Sequence, residues 1–398
     1  MKSFLLILLS TLALNSVCST DNVNVNVNEN VNVNDNVNVN DNVNTQHPTP
    51  NPQHPTPNPQ HPTPNTQPPT PNTQHPEDTL TIAMTGDIMM GTTFPSTQLP
   101  PNDGRDIFMD TKAITSRANL AVGNLEGTLC DGGTTKKKPG PHCYAFRTPT
   151  KFGPRLTEAG YDFLSMANNH ANDFGQFGIE STEQTLDELG IKYSGIKGRT
   201  RSAIVERDGV KYGLCAFGHN SYTLHHNDLS TVKAILDDLR PKCDILIVSF
   251  HGGAEGRTHT HLPQGHEFFL GEDRGDLRTF THFCIDNGAD IVYGHGPHVV
   301  RCMEVYNGRF IAYSLGNFCT PYGMNLTGVT GYAPVVEIKI TSDGRFLEGQ
   351  IHSFIQQKGK GPRLDAANSV AREIRNLTLS DIKGSPITIS ETGHISVK

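Results

Sequence analysis

The sequence contains no tryptophan, and its aromatic residues together reach only 7%, so any core must be packed chiefly by aliphatic side chains. None of its 8 cysteines stands at CxxC spacing, which excludes a ribbon- or finger-type zinc module. Positive charge is not in surplus. The 33 Lys and Arg against 40 Asp and Glu leave a net charge of −7 with no basic stripe, which argues against nucleic acid as a partner. The one strongly apolar run near the start, Phe4 to Leu14, is too short to span a bilayer.

That run follows Met1-Lys2 and precedes small residues near Ser16 to Ser19, the layout of a secretory signal over residues 1–19. The expected location is therefore secreted, or the extracellular face of a membrane. Lipid attachment at Cys18 is not favoured, because Asn15-Ser16-Val17 lacks the usual small residue beside the cysteine. Residues 20–78 alternate Asn with Val and then repeat a QHPTPNP unit. Neither half offers an apolar face to a core, so the region reads as a disordered, partly polyproline stalk. If Cys18 leaves with the signal, an odd number of cysteines remains. Cys130 and Cys143 flank a Gly- and Lys-rich loop and are expected to be bridged, whereas Cys215, Cys243 and Cys284 read as buried thiols.

From Leu80 onward, strands alternate with helices. Helices are expected over Thr111–Arg117, Thr157–Tyr161, Gly178–Leu189, Leu229–Leu239 and Leu277–Cys284, and a hairpin turning at Asp208-Gly209. The chain becomes antiparallel towards its end, around Asn307-Gly308 and Asp343-Gly344. The fold class is α/β, with two mixed sheets packed together between helices in one domain over 79–360, followed by a C-terminal extension over 361–398.

Five apolar runs end abruptly in residues able to bind a metal. Leu80 to Thr85 runs into Gly86-Asp87, Asn119 to Gly123 into Asn124-Leu125-Glu126, and Phe163 to Ala167 into Asn168-Asn169-His170. Ile245 to Phe250 runs into His251, and Asp290 to Tyr293 into His295 and His298. Chemistry in α/β sheets gathers at the carboxyl ends of strands. The candidate ligands are therefore Asp87, Glu126, Asn169, His251, His295 and His298, a mixed oxygen and imidazole set suited to a divalent ion: Mn, Fe, Zn or Mg. His170, with Asp173 close enough to orient its ring, is the candidate acid–base residue.

The motifs GDIMMG, NLEG, ANNHANDFG, HGGAE, GADIVYGHGPHVV and AYSLGNF, in that order between about Leu80 and Phe354, resemble the CapA/PgsA family of capsule and poly-γ-glutamate synthesis proteins, itself similar to calcineurin-like metallophosphoesterases. The resemblance implies a four-layered α/β sandwich, a place outside the cytoplasm, and a part in making, exporting or anchoring polyglutamate or a similar anionic polymer, with a membrane synthase as a further partner. Two departures bear on the site. Met89 stands where the broader superfamily has the histidine of its DxH motif, and Glu126 takes the bridging Asp position, so the resemblance leaves open whether one or two ions bind. Gly252 stands where the capsule family usually has Trp, and the His-rich stretch Arg257 to Arg274 reads as a lid. Three functions remain in view: a metal-dependent hydrolase or transferase acting on the polymer, a plain phosphoesterase, and a non-catalytic scaffold.

Overall fold

The computed structural model describes residues 79–137 and 144–398. In chain order, the strands of its two main sheets are β1 (Thr79–Ile88), β2 (Leu120–Leu125), β3 (Phe163–Ser165), β4 (Lys192–Ser194), β5 (Ala203–Arg207), β6 (Val210–Gly218), β7 (Ile245–His251) and β8 (Ile291–His295). They continue as β9 (Met303–Tyr306), β10 (Arg309–Ala312), β11 (Asn317–Cys319), β12 (Val335–Thr341), β13 (Phe346–His352), β14 (Ile387–Ile389) and β15 (His394–Val397). The larger, nine-stranded sheet runs β14-β15-β13-β12-β1-β2-β3-β4, with β11 also paired to β1; the six-stranded sheet runs β9-β10-β8-β7-β6-β5. Both are mixed, with parallel centres (β1, β2, β3, β4 and β6, β7, β8, β10) and antiparallel edges.

The alternation of side chains across β1, β2 and β3 explains the layering. Ile82, Met84, Leu120, Val122 and Phe163 pack on residues of the six-stranded sheet such as Leu214, Ile247 and Ile291. Their neighbours Ala83, Ala121 and Leu164 point the other way, onto Ile114 of α1 (Lys112–Thr115), Leu156 of α2 (Pro154–Glu158), and Ile179 and Leu186 of α3 (Gly175–Glu188). On the far side of the second sheet lie α4 (Leu229–Leu239) and α5 (Leu277–Asp286), where Phe280 meets Phe217 and Phe250 edge-on. Helices, sheet, sheet and helices form four layers, as the α/β reading expects.

Element boundaries shift where local chemistry outweighs periodicity. The helix expected over Thr157–Tyr161 begins earlier because Pro154 occupies its first turn, and the chain leaves it through Gly160 at φ 81°. The stretch 361–398 supplies α6 (Ser369–Asp381) and the edge strands β14 and β15 of the larger sheet. The signal and stalk readings, and Cys143 of the expected bridge, lie outside the described residues; Cys130 is a buried free thiol beside the Thr128 hydroxyl.

One segment departs from its reading. Arg257 to Arg274, expected to be a lid, is tied to the body at several points. Within it Phe268–Phe269 pairs with Glu272–Asp273, and Glu267 forms a two-pronged ion pair with the fully buried Arg301, 2.7 Å on each prong. Glu267 also accepts from the Ala254 amide at 2.9 Å, and the Gly253 amide donates to the Arg274 carbonyl at 2.8 Å. The inner face of this otherwise largely exposed segment is thus held on the body by a buried ion pair, and lifting it would separate Glu267 from Arg301.

Candidate metal centre

Asp87 is aimed by a bulge. In the pairing of β1 with β2, Met84 matches Val122 but Asp87 matches Asn124, so β1 carries one extra residue there. Without it, Asp87 would share the helix-facing side of Ala83 and Thr85; with it, the side chain turns inward between the sheets. Gly86 makes this possible, since a Cβ there would lie 2.0 Å from the Gly316 carbonyl oxygen. Strand β11 thereby closes on β1, and the Asp87 amide donates to Gly316 O at 2.9 Å.

Four other expected ligands converge on the same place. His251 and His295 end neighbouring parallel strands in matched register. Glu126 follows β2, and His298 sits in the left-handed region at φ 57° just beyond β8. His295 Nδ1 lies 3.4 Å from Asp87 Oδ1, His251 Nε2 3.5 Å from Glu126 Oε2, and His298 Nε2 3.6 Å from Glu126 Oε1. Donor atoms of Asp87, Glu126 and His298 all fall within 4.8 Å of one another. These separations exceed good hydrogen bonds. They suit neighbouring donors around one ion with bonds near 2 Å.

The unsatisfied atoms make the fit specific. Among the described residues, both ring nitrogens of His251 and of His295 are buried without a hydrogen-bond partner, as are Glu126 Oε1 and Asn169 Oδ1. Orphaned donors and acceptors at this density are costly unless something else occupies their lone pairs. A divalent ion would take one nitrogen of each ring and the free Glu126 oxygen, so the residues present fit one. For Asn169 the backbone carbonyl is fixed by Lys137 Nζ at 3.0 Å, while its side-chain oxygen has no hydrogen-bond partner among the described residues. Met89 is buried, and its sulfur accepts from the Gly91 amide at 3.3 Å, so the position two residues after Asp87 carries a thioether folded onto its own backbone.

Electrostatics point the same way. Burial works to raise the Asp87 pKa, yet the adjacent imidazoles of His295 and His298, the latter hydrogen-bonded through Nδ1 at 3.0 Å, hold it well below the usual carboxylate range. Glu126 goes in the opposite direction, pushed well above that range by burial and then by the charge of Asp87. His298 is raised to about 10, burial being outweighed by Glu126, Asp87 and Glu255. His251 falls well below its ordinary value through burial and then through His219 beside it. The pocket demands positive charge, and a divalent ion competes with protons to supply it.

His170 and Asp173 are brought together as expected. Asp173 Oδ2 takes the His170 Nδ1 proton at 2.9 Å and the Phe146 amide at 2.6 Å. Burial, outweighing Asp173, lowers the His170 pKa, so the ring is neutral near pH 7 with its Nε2 lone pair available. Phe146 lies against the same ring at 4.4 Å between centroids.

Several functional positions escaped the residue-by-residue reading. Asn124 is the most informative, since its Nδ2 donates to both Asp87 Oδ1 and Glu126 Oε2 at 2.9 Å while Asn168 Nδ2 donates to its oxygen at 3.0 Å. One amide thus spaces the two carboxylates. Its i, i+2 relation to Glu126 on a strand was the available signal. His219, which follows the apolar run of β6 as the other ligands follow theirs, stacks on His251 at 5.6 Å and reaches the His251 carbonyl at 3.3 Å. Asn317 accepts from His298 Nδ1 at 3.1 Å, and Arg274 pairs with both Glu255 and Glu272.

Fold and centre together define a mixed α/β sandwich with a histidine and carboxylate cluster at the edge where its two parallel cores end. The comparisons carry this further. The profile described as "Bacterial capsule synthesis protein PGA_cap" matches residues 81–322, and the chain belongs to that family. It is 27% identical over 287 residues to the PGA biosynthesis protein CapA of Bacillus subtilis, covering 68% of this chain and 70% of that protein. To the capsule biosynthesis protein CapA of Bacillus anthracis it is 26% identical over 329 residues, covering 77% and 75%. Among solved structures, the calcineurin-like phosphoesterase YfkN of Bacillus subtilis aligns over 69% of this chain and 90% of its own, with 14% identity and a TM-score of 0.39. A 5'-nucleotidase precursor from Thermus thermophilus aligns over 77% and 60%, with 11% identity and a TM-score of 0.40.

Proposed function

We propose that this protein is a metal-dependent hydrolase or transferase that serves the synthesis of an anionic polymer such as polyglutamate, acting on its amide bonds. One observation carries the reading: the buried, partnerless nitrogens of His251 and His295 face the carboxylates of Asp87 and Glu126. Scaffolding alone would not require so costly an arrangement, nor a neutral imidazole poised on a buried carboxylate next to it. Asp87, Glu126, His251, His295 and His298, with Asn169 beside them, would hold a divalent ion, which would supply Lewis-acid polarisation and make a nearby water more acidic.

The chain's own residues do the rest. Asn124 holds the two carboxylates apart, and His298 Nδ1 donates to Asp87 Oδ2 at 3.0 Å and to Asn317 Oδ1 at 3.1 Å, which leaves Nε2 facing Glu126. His170, kept neutral by burial and oriented by Asp173, accepts a proton at Nε2 and returns it to the leaving nitrogen. Met89 in place of a histidine supports a single-ion centre and argues against a plain phosphoesterase, whose chemistry uses a paired site. The protein works outside the cytoplasm, beside the synthase that produces the polymer; the run Phe4 to Leu14 supports that placement.

The test is elemental analysis of the purified protein together with parallel assays on poly-γ-glutamate and on a generic phosphoester. Metal content with polymer cleavage or transfer is the expected result. Metal-free protein that binds polymer with full affinity and turns over neither substrate would replace this reading with the scaffold.

A further inference from the structure

The loop between Thr128–Leu129 and Arg147–Thr148, two short strands that pair in parallel, is rich in Gly and Lys, and nothing in the proposed chemistry yet uses it. Its described part contributes both groups that complete Asp173. The Phe146 amide donates to Oδ2, and Lys137 Nζ stands 2.6 Å from Oδ1. Lys137 is turned inward, its side chain 12% exposed, while its neighbour Lys136 is exposed to solvent. The same ammonium reaches the Asn169 carbonyl oxygen at 3.0 Å. It therefore spans the acid–base pair and the backbone of a candidate ligand, two functions that meet nowhere else through one side chain among the described residues.

We propose that Lys137 is a positioning residue that locks the Asp173 carboxylate in the rotamer presenting Oδ2 to His170, and holds the Asn169 loop against it. Without Lys137, Oδ1 loses its only charged partner among the described residues in a site where Asp173 is buried, and the carboxylate is free to turn away from the ring. A bare structural tie would be interchangeable with any contact of equal strength. This one acts on the tautomer of the imidazole, because an Nδ1 proton held by Asp173 is what leaves Nε2 free to accept. The inference rests on the catalytic reading of His170 for its kinetic consequence but not for its structural one.

The experiment compares Lys137→Met, which keeps the aliphatic stem, with Lys137→Arg, which keeps the charge, in zinc-loaded protein. Long-range nitrogen–proton correlation spectra report the His170 tautomer. Wild type and Lys137→Arg should show the Nδ1-protonated ring, and Lys137→Met a mixture of both tautomers. On the polymer substrate, Lys137→Met should lower kcat by about tenfold or more with KM within about twofold, and Lys137→Arg should recover most of it. If Lys137→Met does not fold, Lys137→Gln takes its place. An unchanged His170 spectrum in the charge-removed variant overturns the inference, as does a kcat that falls only in proportion to lost zinc and is not restored by Arg. Should wild type turn over no substrate, the proposed reaction fails, yet the spectrum still decides the role of Lys137.

Discussion

Removing the charge of Arg301 should destabilise the protein far more than an ordinary surface substitution. The guanidinium is fully buried and donates to both oxygens of Glu267 at 2.7 Å, to the His259 carbonyl at 3.0 Å and, more distantly, to the Ala254 carbonyl. In Arg301→Met, Glu267 keeps only the Ala254 amide at 2.9 Å and becomes a buried anion with no cation. Breaking one half of such a pair costs about 3 to 5 kcal/mol, whereas replacing both halves by uncharged groups costs much less. Urea unfolding should therefore show a loss in that range for Arg301→Met and a substantial recovery in Arg301→Met with Glu267→Gln, a coupling read from the double-mutant cycle. Limited proteolysis should cut Arg301→Met within 257–274 and spare the wild type. If the single variant unfolds within about 1 kcal/mol of wild type and the segment resists protease equally in both, the ion pair does not hold the segment on the body.

Changing His295 or His251 to Ala should lower bound metal measured by plasma mass spectrometry, and adding a divalent ion at about a hundredfold over its dissociation constant should stabilise wild type by about 2.7 kcal/mol and these variants by less. His170→Gln should keep the fold and most of the metal while turnover drops about a hundredfold; loss of stability with normal turnover of the surviving protein would mark a purely structural histidine. Asp228 caps α4 by accepting from the Thr231 amide at 3.1 Å, and hydrogen bonds from Thr231 and Ser230 lower its pKa to about 2. Asp228→Ala should cost about 1 kcal/mol. Because the folded pKa lies below the unfolded value, that contribution is present near neutrality and is lost as the pH falls from about 4 towards 2, so wild type and variant should converge in acid.

Much of this molecule is legible in its residues because one rule recurs: an apolar run that stops at a ligand-bearing residue is a strand ending at the centre. Asp87, Glu126, His251, His295 and His298 follow it and meet in space. The rule also held for β6 and His219, a sixth instance that went unused because Gly218-His219-Asn220 looks like an ordinary turn. What alternation could not foretell is the bulge before Asp87, since the extra residue is visible only against its partner strand. The anchoring of 257–274 was not legible for a related reason. Its length and histidines suggest exposure, and only the pairing of Glu267 with Arg301, remote in sequence, shows that its inner face is buried.

The centre joins residues that are 211 positions apart, as the contact of His298 with Asp87 records, and β1 can align only once β11 and β12 have arrived beside it. Contacts this distant form late, after most loop-closure entropy has been lost. The ligand set therefore does not exist on a partly made or partly folded chain. An ion bound at the proposed centre would therefore be chosen by the geometry of the finished site and by which metals are available where the last folding step takes place. On the proposed reading, metal identity would depend on timing and place as well as on donor atoms, and a chain refolded in a different metal supply should carry a different ion in the same cradle.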